Sequence, residues 1–413
     1  MSSLSIRANI TFVKSQWRFL LFGLLLAFFS SPGQTFFISL FSAQIRSELQ
    51  LSHGDFGMIY AAGTLVSAAV IIFLGRLVDV IKLKTISLII VVSLAMAAAF
   101  FSLISSMLTL ALGIFFLRLT GQGMMSHLYT TAMSRRYIAE RGRAVAIATQ
   151  GHPLSEVIMP ALILFLLLSV EWRQAWQITS LLVLVIMVPA CLLLSGRQEG
   201  QDGGGVTDLA TGRDGQHWTS SEVVLQWRFI LLAGLVLAPA FTSTGLFFHQ
   251  IYFAQTKGIS LLIWTSGYPV YAICSIFGSL IGGIMVDRFS AIRLASPAVM
   301  ALSLPVLLLG WIAPAHLIWV YFAVFGLAQG AVYAVVTPIW AELYGSRHLG
   351  SIKAIMHAMM VSASALSPAV IGLMIDAGYS LGQTLLVLGA FPILAGLLGI
   401  IGTRPSRAKT QPS

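Results

Sequence analysis

Charge is what this chain has least of. Of 413 residues, 14 are Asp or Glu and 24 are Lys or Arg, 9% in all, where a typical soluble domain carries about 25%. With 57% hydrophobic residues and a mean hydropathy of +0.90, the surface of a water-soluble globule cannot be covered. Cysteine is nearly absent too. Cys191 and Cys274 both lie inside apolar runs, which excludes a disulfide framework and a cysteine-based metal cluster. There is no phosphate-binding Gly-Lys-Ser/Thr loop and no His/Cys/Asp/Glu set at metal-ligand spacing, so neither direct ATP-driven transport nor any cofactor or metal is expected. The polar segments are too short to fold as an enzyme domain, and no enzymatic activity is expected. The net charge of +10 comes without a dense basic tract. Basic residues spread over short loops suit the anionic lipid headgroups of a bilayer rather than nucleic acid.

What is abundant is the membrane-length apolar run. A spanning helix needs about 20 largely apolar residues. Such stretches occur at residues 17–45, 55–78, 84–105, 107–133, 143–169, 172–195, 227–255, 261–286, 291–313, 315–342, 351–376 and 380–402, hereafter spans 1 to 12. Residues 16–44, QWRFLLFGLLLAFFSSPGQTFFISLFSAQ, are related to residues 226–255, QWRFILLAGLVLAPAFTSTGLFFHQIYFAQ. The register continues: Gly75 and Asp79 return as Gly283 and Asp287, Gln122 as Gln329, Tyr137 as Tyr344 and Pro160 as Pro368. Parallel repeats of six spans predict an all-α membrane protein with twelve transmembrane helices in two six-helix pseudo-symmetric bundles around a central cavity. The expected division is 1–196 for the N-terminal bundle, 197–221 for a flexible Gly-rich cytoplasmic linker, and 222–413 for the C-terminal bundle. Arg7 and Lys14 precede span 1 in the manner of a signal peptide, but the run is too long, and its copy lies mid-chain.

Orientation follows from the basic residues, which stay on the cytoplasmic side of short loops. Placing the N-terminus inside puts 20 of the 24 Lys and Arg in the cytoplasm, leaves Arg46, Arg173 and Lys257 outside, and leaves Arg118 within span 4. The expectation is a multi-pass protein of the bacterial inner (plasma) membrane with both termini cytoplasmic. One chain holds a complete pathway, so a monomer suffices.

Ionisable groups deep in a span are costly and are kept for a partner or a task. Two stand out, Arg118 in span 4 and Glu156 in span 5, at similar depth on consecutive antiparallel helices. Gln122 shares a face with Arg118, and His152 with Glu156, each four residues apart. These four are the expected substrate and proton-coupling residues. Gln34, Tyr129, His249, Gln250, Tyr268, Tyr271, Gln329 and Tyr333 are candidates to line the cavity.

The repeat, the linker and the loop GRLVDVIKLKT after span 2 together resemble the major facilitator superfamily over essentially the whole chain. That family's loop runs Gly, three residues, Asp, a basic residue, one residue, Gly, then paired basics. Gly75, Asp79 and Lys84 fit, and Lys82 supplies a second basic residue, but it stands at the glycine position and Val80 at the basic one. The second copy keeps Gly283, Asp287, Arg288 and Arg293, with Ser290 at the glycine position. The resemblance implies a cytoplasmic gate in which Asp79 and Asp287 are latched by basic partners such as Arg76, Lys82, Lys84, Arg288 and Arg293. Arg118-Leu-Thr-Gly-Gln-Gly is similar to a span-4 pattern associated with proton coupling or anion contact. ATQGHPLSEVIMP in span 5 lacks the paired glycines of drug/proton antiporters, which favours a symporter or uniporter.

The expected function is secondary active transport of a small organic solute, an organic anion such as a carboxylate, by proton-coupled alternating access. An anion that takes Arg118 would leave Glu156 to be neutralised by a proton. The alternative is export of amphipathic or aromatic compounds by drug/proton antiport. A membrane sensor would need an appended signalling segment, which is not evident.

Overall fold

The structure, a computed structural model, describes residues 3–137, 140–196, 211–311, 315–345 and 347–404. Among the described residues, twelve helices are long and apolar enough to cross a membrane: Thr11–Ser39, His53–Val80, Leu83–Phe101, Met107–Arg136, Gly142–Leu167 and Trp172–Leu194, then Trp227–Phe248, Leu261–Phe289, Ala291–Trp311, Ile318–Tyr344, Ser351–Asp376 and Leu381–Gly402. Among the described residues there is no strand. Helix is the only open solution for a chain whose backbone must satisfy its own hydrogen bonds in lipid.

The chain folds as two compact units. One comprises Met1–Gly205 with two short segments from later in the sequence, Phe247–Tyr252 and Pro368–Asp376; the other comprises Val206–Leu246, Phe253–Ser367 and Ala377–Ser413. The tail of span 7 and the last turns of span 11 therefore cluster with the first unit.

In the first unit the core is centred on Trp176, fully buried, with ring centroids of Phe37, Phe41 and Phe101 at 5.3, 5.0 and 4.5 Å. Span 1 departs from the continuous helix expected. It runs helically to Phe29, turns through a 3₁₀ segment at Ser31–Gly33, and resumes over Thr35–Ser39 and Ser42–Leu49. Pro32 removes a backbone donor and Gly33 relaxes the chain, so a break is placed mid-membrane.

In the second unit, spans 8 and 10 pack together along their lengths, and span 9 packs against spans 10 and 12. Buried hydroxyls cross-link helices here: Thr242 Oγ1 donates to the Leu388 carbonyl at 3.1 Å and Ser303 Oγ to that of Gly389 at 2.6 Å. Residues 197–210 of the linker lie outside the described residues. The remainder is docked: Trp218 N–H donates to the Tyr344 carbonyl at 3.1 Å, and Arg213 Nη1 to that of Thr403 at 2.6 Å.

Candidate functional site

Several of the candidate side chains gather at the break in span 1. A Cβ on Gly33 would sit 2.3 Å from the Leu117 carbonyl oxygen and 2.8 Å from Gly121 Cα, so spans 1 and 4 touch backbone to backbone. Span 4 is locally a π-helix over Arg118–Met125, the widened turn that recurs at functional sites. Arg118, at its start, is 1% exposed. Its Nη1 donates to the Gly33 carbonyl at 3.0 Å, and its guanidinium carbon lies 5.2 Å from the Tyr60 ring centroid. Tyr60 is fixed in turn by a 2.6 Å hydrogen bond with Thr35 Oγ1. Arg118 Nε and Nη2 are buried without a hydrogen-bond partner.

Span 5 reaches the same break. His152 Nδ1 is 3.4 Å from Ser30 Oγ, and its Nε2 is 3.2 Å from the Tyr129 hydroxyl. Ser30 Oγ already donates to the Ala27 carbonyl at 2.7 Å and accepts from Gln34 Nε2 at 3.3 Å. Nδ1 is therefore the donor to Ser30, and Nε2 accepts from Tyr129. Glu156 is half-buried one turn beyond His152. The ion pairs among the described residues are Arg135 with Asp79 and Arg173 with Glu48, so Arg118 and Glu156 do not pair with each other. Gln122 is half-buried beside Gly33.

The remaining cavity candidates divide by unit. His249 Nε2 donates to the Pro368 carbonyl at 3.1 Å, and Gln250 Nε2 to Ser39 Oγ at 2.8 Å, both in the first unit. In the second, Tyr268 and Tyr271 are buried against Phe322 and Phe325. Gln329 accepts from Ser243 Oγ at 2.8 Å, and Tyr333 is exposed.

The loop after span 2 is ordered by residues outside the motif. Asp79 Oδ1 is 2.5 Å from Arg135 Nη2, while Arg135 Nη1 donates to the Val78 carbonyl at 3.2 Å and His127 Nε2 to that of Gly75 at 3.2 Å. Arg76, Lys82 and Lys84 are exposed around this pair. In the second copy the residue 207 positions after Arg135 is Glu342. It accepts from Ser290 Oγ at 2.6 Å and from the N–H groups of Ala291 and Ile292 at 2.9 and 3.2 Å. Ser290 has φ 74° and ψ 142°, a conformation natural to glycine. Asp287, Arg288 and Arg293 are exposed, the last two flanking this cap; Gly283 has open space where a side chain would be.

The Major Facilitator Superfamily profile matches residues 23–368 and 269–413. The chain belongs to the Major Facilitator Superfamily. It is a membrane transporter, not an enzyme. Among the solved structures similar to it are two of bacterial Spinster homologs. A bacterial homolog to the human lysosomal transporter Spinster, in an inward-facing and unoccupied conformation, has a TM-score of 0.70 at 17% identity, covering 95% of this chain and 99% of that one. A bacterial Spinster homolog in an inward-facing and occupied conformation gives 0.67 at 15% identity, covering 94% and 98%. No curated protein matches the chain significantly. The superfamily fold accounts for one string that suggests other chemistry. Gly378-Tyr-Ser-Leu-Gly382 has the spacing of a nucleophile elbow, but Ser380 caps span 12, its Oγ accepting from Gln383 N–H at 3.3 Å.

Sequence reasoning passed over Tyr60, Ser30 and Arg135. For Ser30 a signal existed: Ser-Pro-Gly inside an apolar run marks a chain break. Tyr60 and Arg135 carry none, since only the packing of span 2 on span 4 makes them partners.

Proposed function

We propose that this transporter carries a small organic anion, a carboxylate, by proton-coupled alternating access, with Arg118 as the anion site and Glu156 as the proton carrier. One observation carries the reading: Nε and Nη2 of buried Arg118 have no partner, while Nη1 is held by Gly33. Nε and Nη2 form one edge of the guanidinium, the fork that takes both oxygens of a carboxylate. The Tyr60 ring and the Gly33 carbonyl fix the plane of that fork.

Glu156 lies one turn past His152, whose bonds to Ser30 and Tyr129 tie span 5 to the same break. In the empty carrier the two charges balance across the site. An anion on Arg118 removes that balance, and a proton on Glu156 restores it, so anion and proton travel together. The carrier works as a monomer in a bacterial inner membrane with both termini in the cytoplasm, the orientation in which the basic residues lie inside. Gln122 and Gln34 supply neutral contacts to the rest of the solute.

Thermal-shift screening of the purified protein against carboxylates, other organic anions, and neutral or cationic aromatics tests this, because a ligand selective for the folded state raises its stability. The expected result is stabilisation by a carboxylate in the wild type and none in Arg118→Ala. Stabilisation of both proteins by neutral or cationic aromatics alone would overturn the anion reading in favour of export.

A further inference from the structure

Asp376 is the last residue of its helix, where a carboxylate faces the negative end of the helix dipole and is disfavoured. In the structure it sits instead on the positive end of another helix. Its Oδ1 accepts from His53 N–H at 3.0 Å and its Oδ2 from Gly54 N–H at 2.6 Å, both in the first turn of span 2. Arg46 adds a positive charge within electrostatic reach. Below this contact spans 2 and 11 meet backbone to backbone. A Cβ on Gly57 would lie 2.3 Å from the Pro368 carbonyl oxygen, and one on Gly372 would lie 2.4 Å from that of His53. The tail of span 7 joins through directed bonds, His249 to the Pro368 carbonyl, Gln250 to Ser39 and the Phe36 carbonyl, and Ser39 to the Phe247 carbonyl, and through ring contacts of Phe248 with Phe56 and Tyr60 at 5.1 and 4.7 Å.

We propose that Asp376 is a positioning residue of the transport cycle, a clasp that holds the ends of spans 7 and 11 on spans 1 and 2 and releases once per cycle. A carrier exposes its site to each side in turn, so contacts that seal one end must break together. The backbone seam between spans 2 and 11 separates without unthreading side chains, so the carboxylate and the span 7 tail, whose Phe248 packs on Phe56 and Tyr60, are what hold the contact. The carboxylate supplies the bias: seated, it has two donors and a favourable dipole; released, it meets its own helix's negative end. This holds whatever the solute, and does not depend on Arg118 binding an anion.

The test is electron–electron distance measurement between spin labels at Ser47 and Tyr379, in protein freed of Cys191 and Cys274, for the wild type, Asp376→Asn and Gly57→Ala. Asp376→Asn keeps the shape and removes the charge, and is expected to raise the ratio of long to short distances about tenfold. Gly57→Ala forces a methyl against the Pro368 carbonyl and is expected to shift the distribution in the same direction through sterics alone. Asp376→Glu should retain part of the short-distance population. A wild-type distribution in folded Asp376→Asn would overturn the proposal. Should that variant not fold, a wild-type distribution in Gly57→Ala would overturn it equally.

Discussion

Burying the Arg118 guanidinium costs about 2.5–3.5 kcal/mol on insertion scales. Its bond to the Gly33 carbonyl returns about 0.5–1.5 kcal/mol as a typical hydrogen bond, more for a charged donor, and the Tyr60 ring about 2 kcal/mol when desolvated. The sum is near balance, with Nε and Nη2 still to be used, as a site that must bind and release requires. Arg118→Lys keeps the charge but loses the fork, and is expected to weaken carboxylate binding at least about tenfold, by titration calorimetry, while the protein still inserts. Glu156→Gln is expected to permit substrate binding and exchange but to abolish substrate-driven proton flux in proteoliposomes; full flux would remove Glu156 as the carrier. Outside the membrane, the hydrogen bond from Arg173 holds the Glu48 carboxyl below its ordinary range. Its stabilising contribution is therefore complete above about pH 4.3 and is lost as pH falls through the lower folded value. The Glu48 side chain is 43% exposed, so Glu48→Gln should cost less than about 1 kcal/mol at neutral pH by thermal unfolding.

Helices were legible in the sequence because each needed only length and apolarity; the site was legible in part. Arg118 and Glu156 stood out because charge in an apolar run is costly. Their surroundings did not, because the π-turn after Arg118 and the Gly33–Gly121 contact arise only when two helices meet. Gly33→Ala tests that contact. A methyl 2.3 Å from the Leu117 carbonyl oxygen should destabilise by about 1–3 kcal/mol and weaken anion binding too, because it displaces the carbonyl that holds Nη1. The span 8–9 loop offers a second test. Ser290 at φ 74° stores about 1–3 kcal/mol of strain, and its hydroxyl bond to Glu342, a charged acceptor, returns about 1.5–3 kcal/mol. Ser290→Gly removes both and should be within about 1 kcal/mol of neutral in thermal unfolding. Ser290→Ala keeps the strain and loses the bond, and should be clearly the worse. The motif alone suggested a plain departure from glycine; the compensation lies in a residue 52 positions away.

At the scale of the molecule, span 2 carries a carboxylate contact at each end. Asp376 sits on its first turn, and Asp79 ends it, paired with Arg135. At 1.5 Å per residue, His53–Val80 separates the two by about 40 Å, beyond direct interaction in solvent. The Asp79–Arg135 pair joins spans 2 and 4 of one unit, so it cannot by itself hold that end closed. The case to test is the one in which Asp79, paired with Arg135 while the Asp376 clasp is seated, exchanges that partner when the clasp opens. This pair is 46% exposed at Arg135 and 53% at Asp79, so the exchange is worth no more than about 1 kcal/mol, about fivefold in population. Asp79→Asn removes the charge that the clasp-open state would use and should favour the seated state, shortening the Ser47–Tyr379 distance distribution. Asp376→Asn should lengthen it. Sites this far apart with no shared partner add, so the double variant should fall between the single ones in the same measurement. A double variant indistinguishable from Asp376→Asn would mean that Asp79 is a static tie between loops, with the opening equilibrium governed from the clasp end alone.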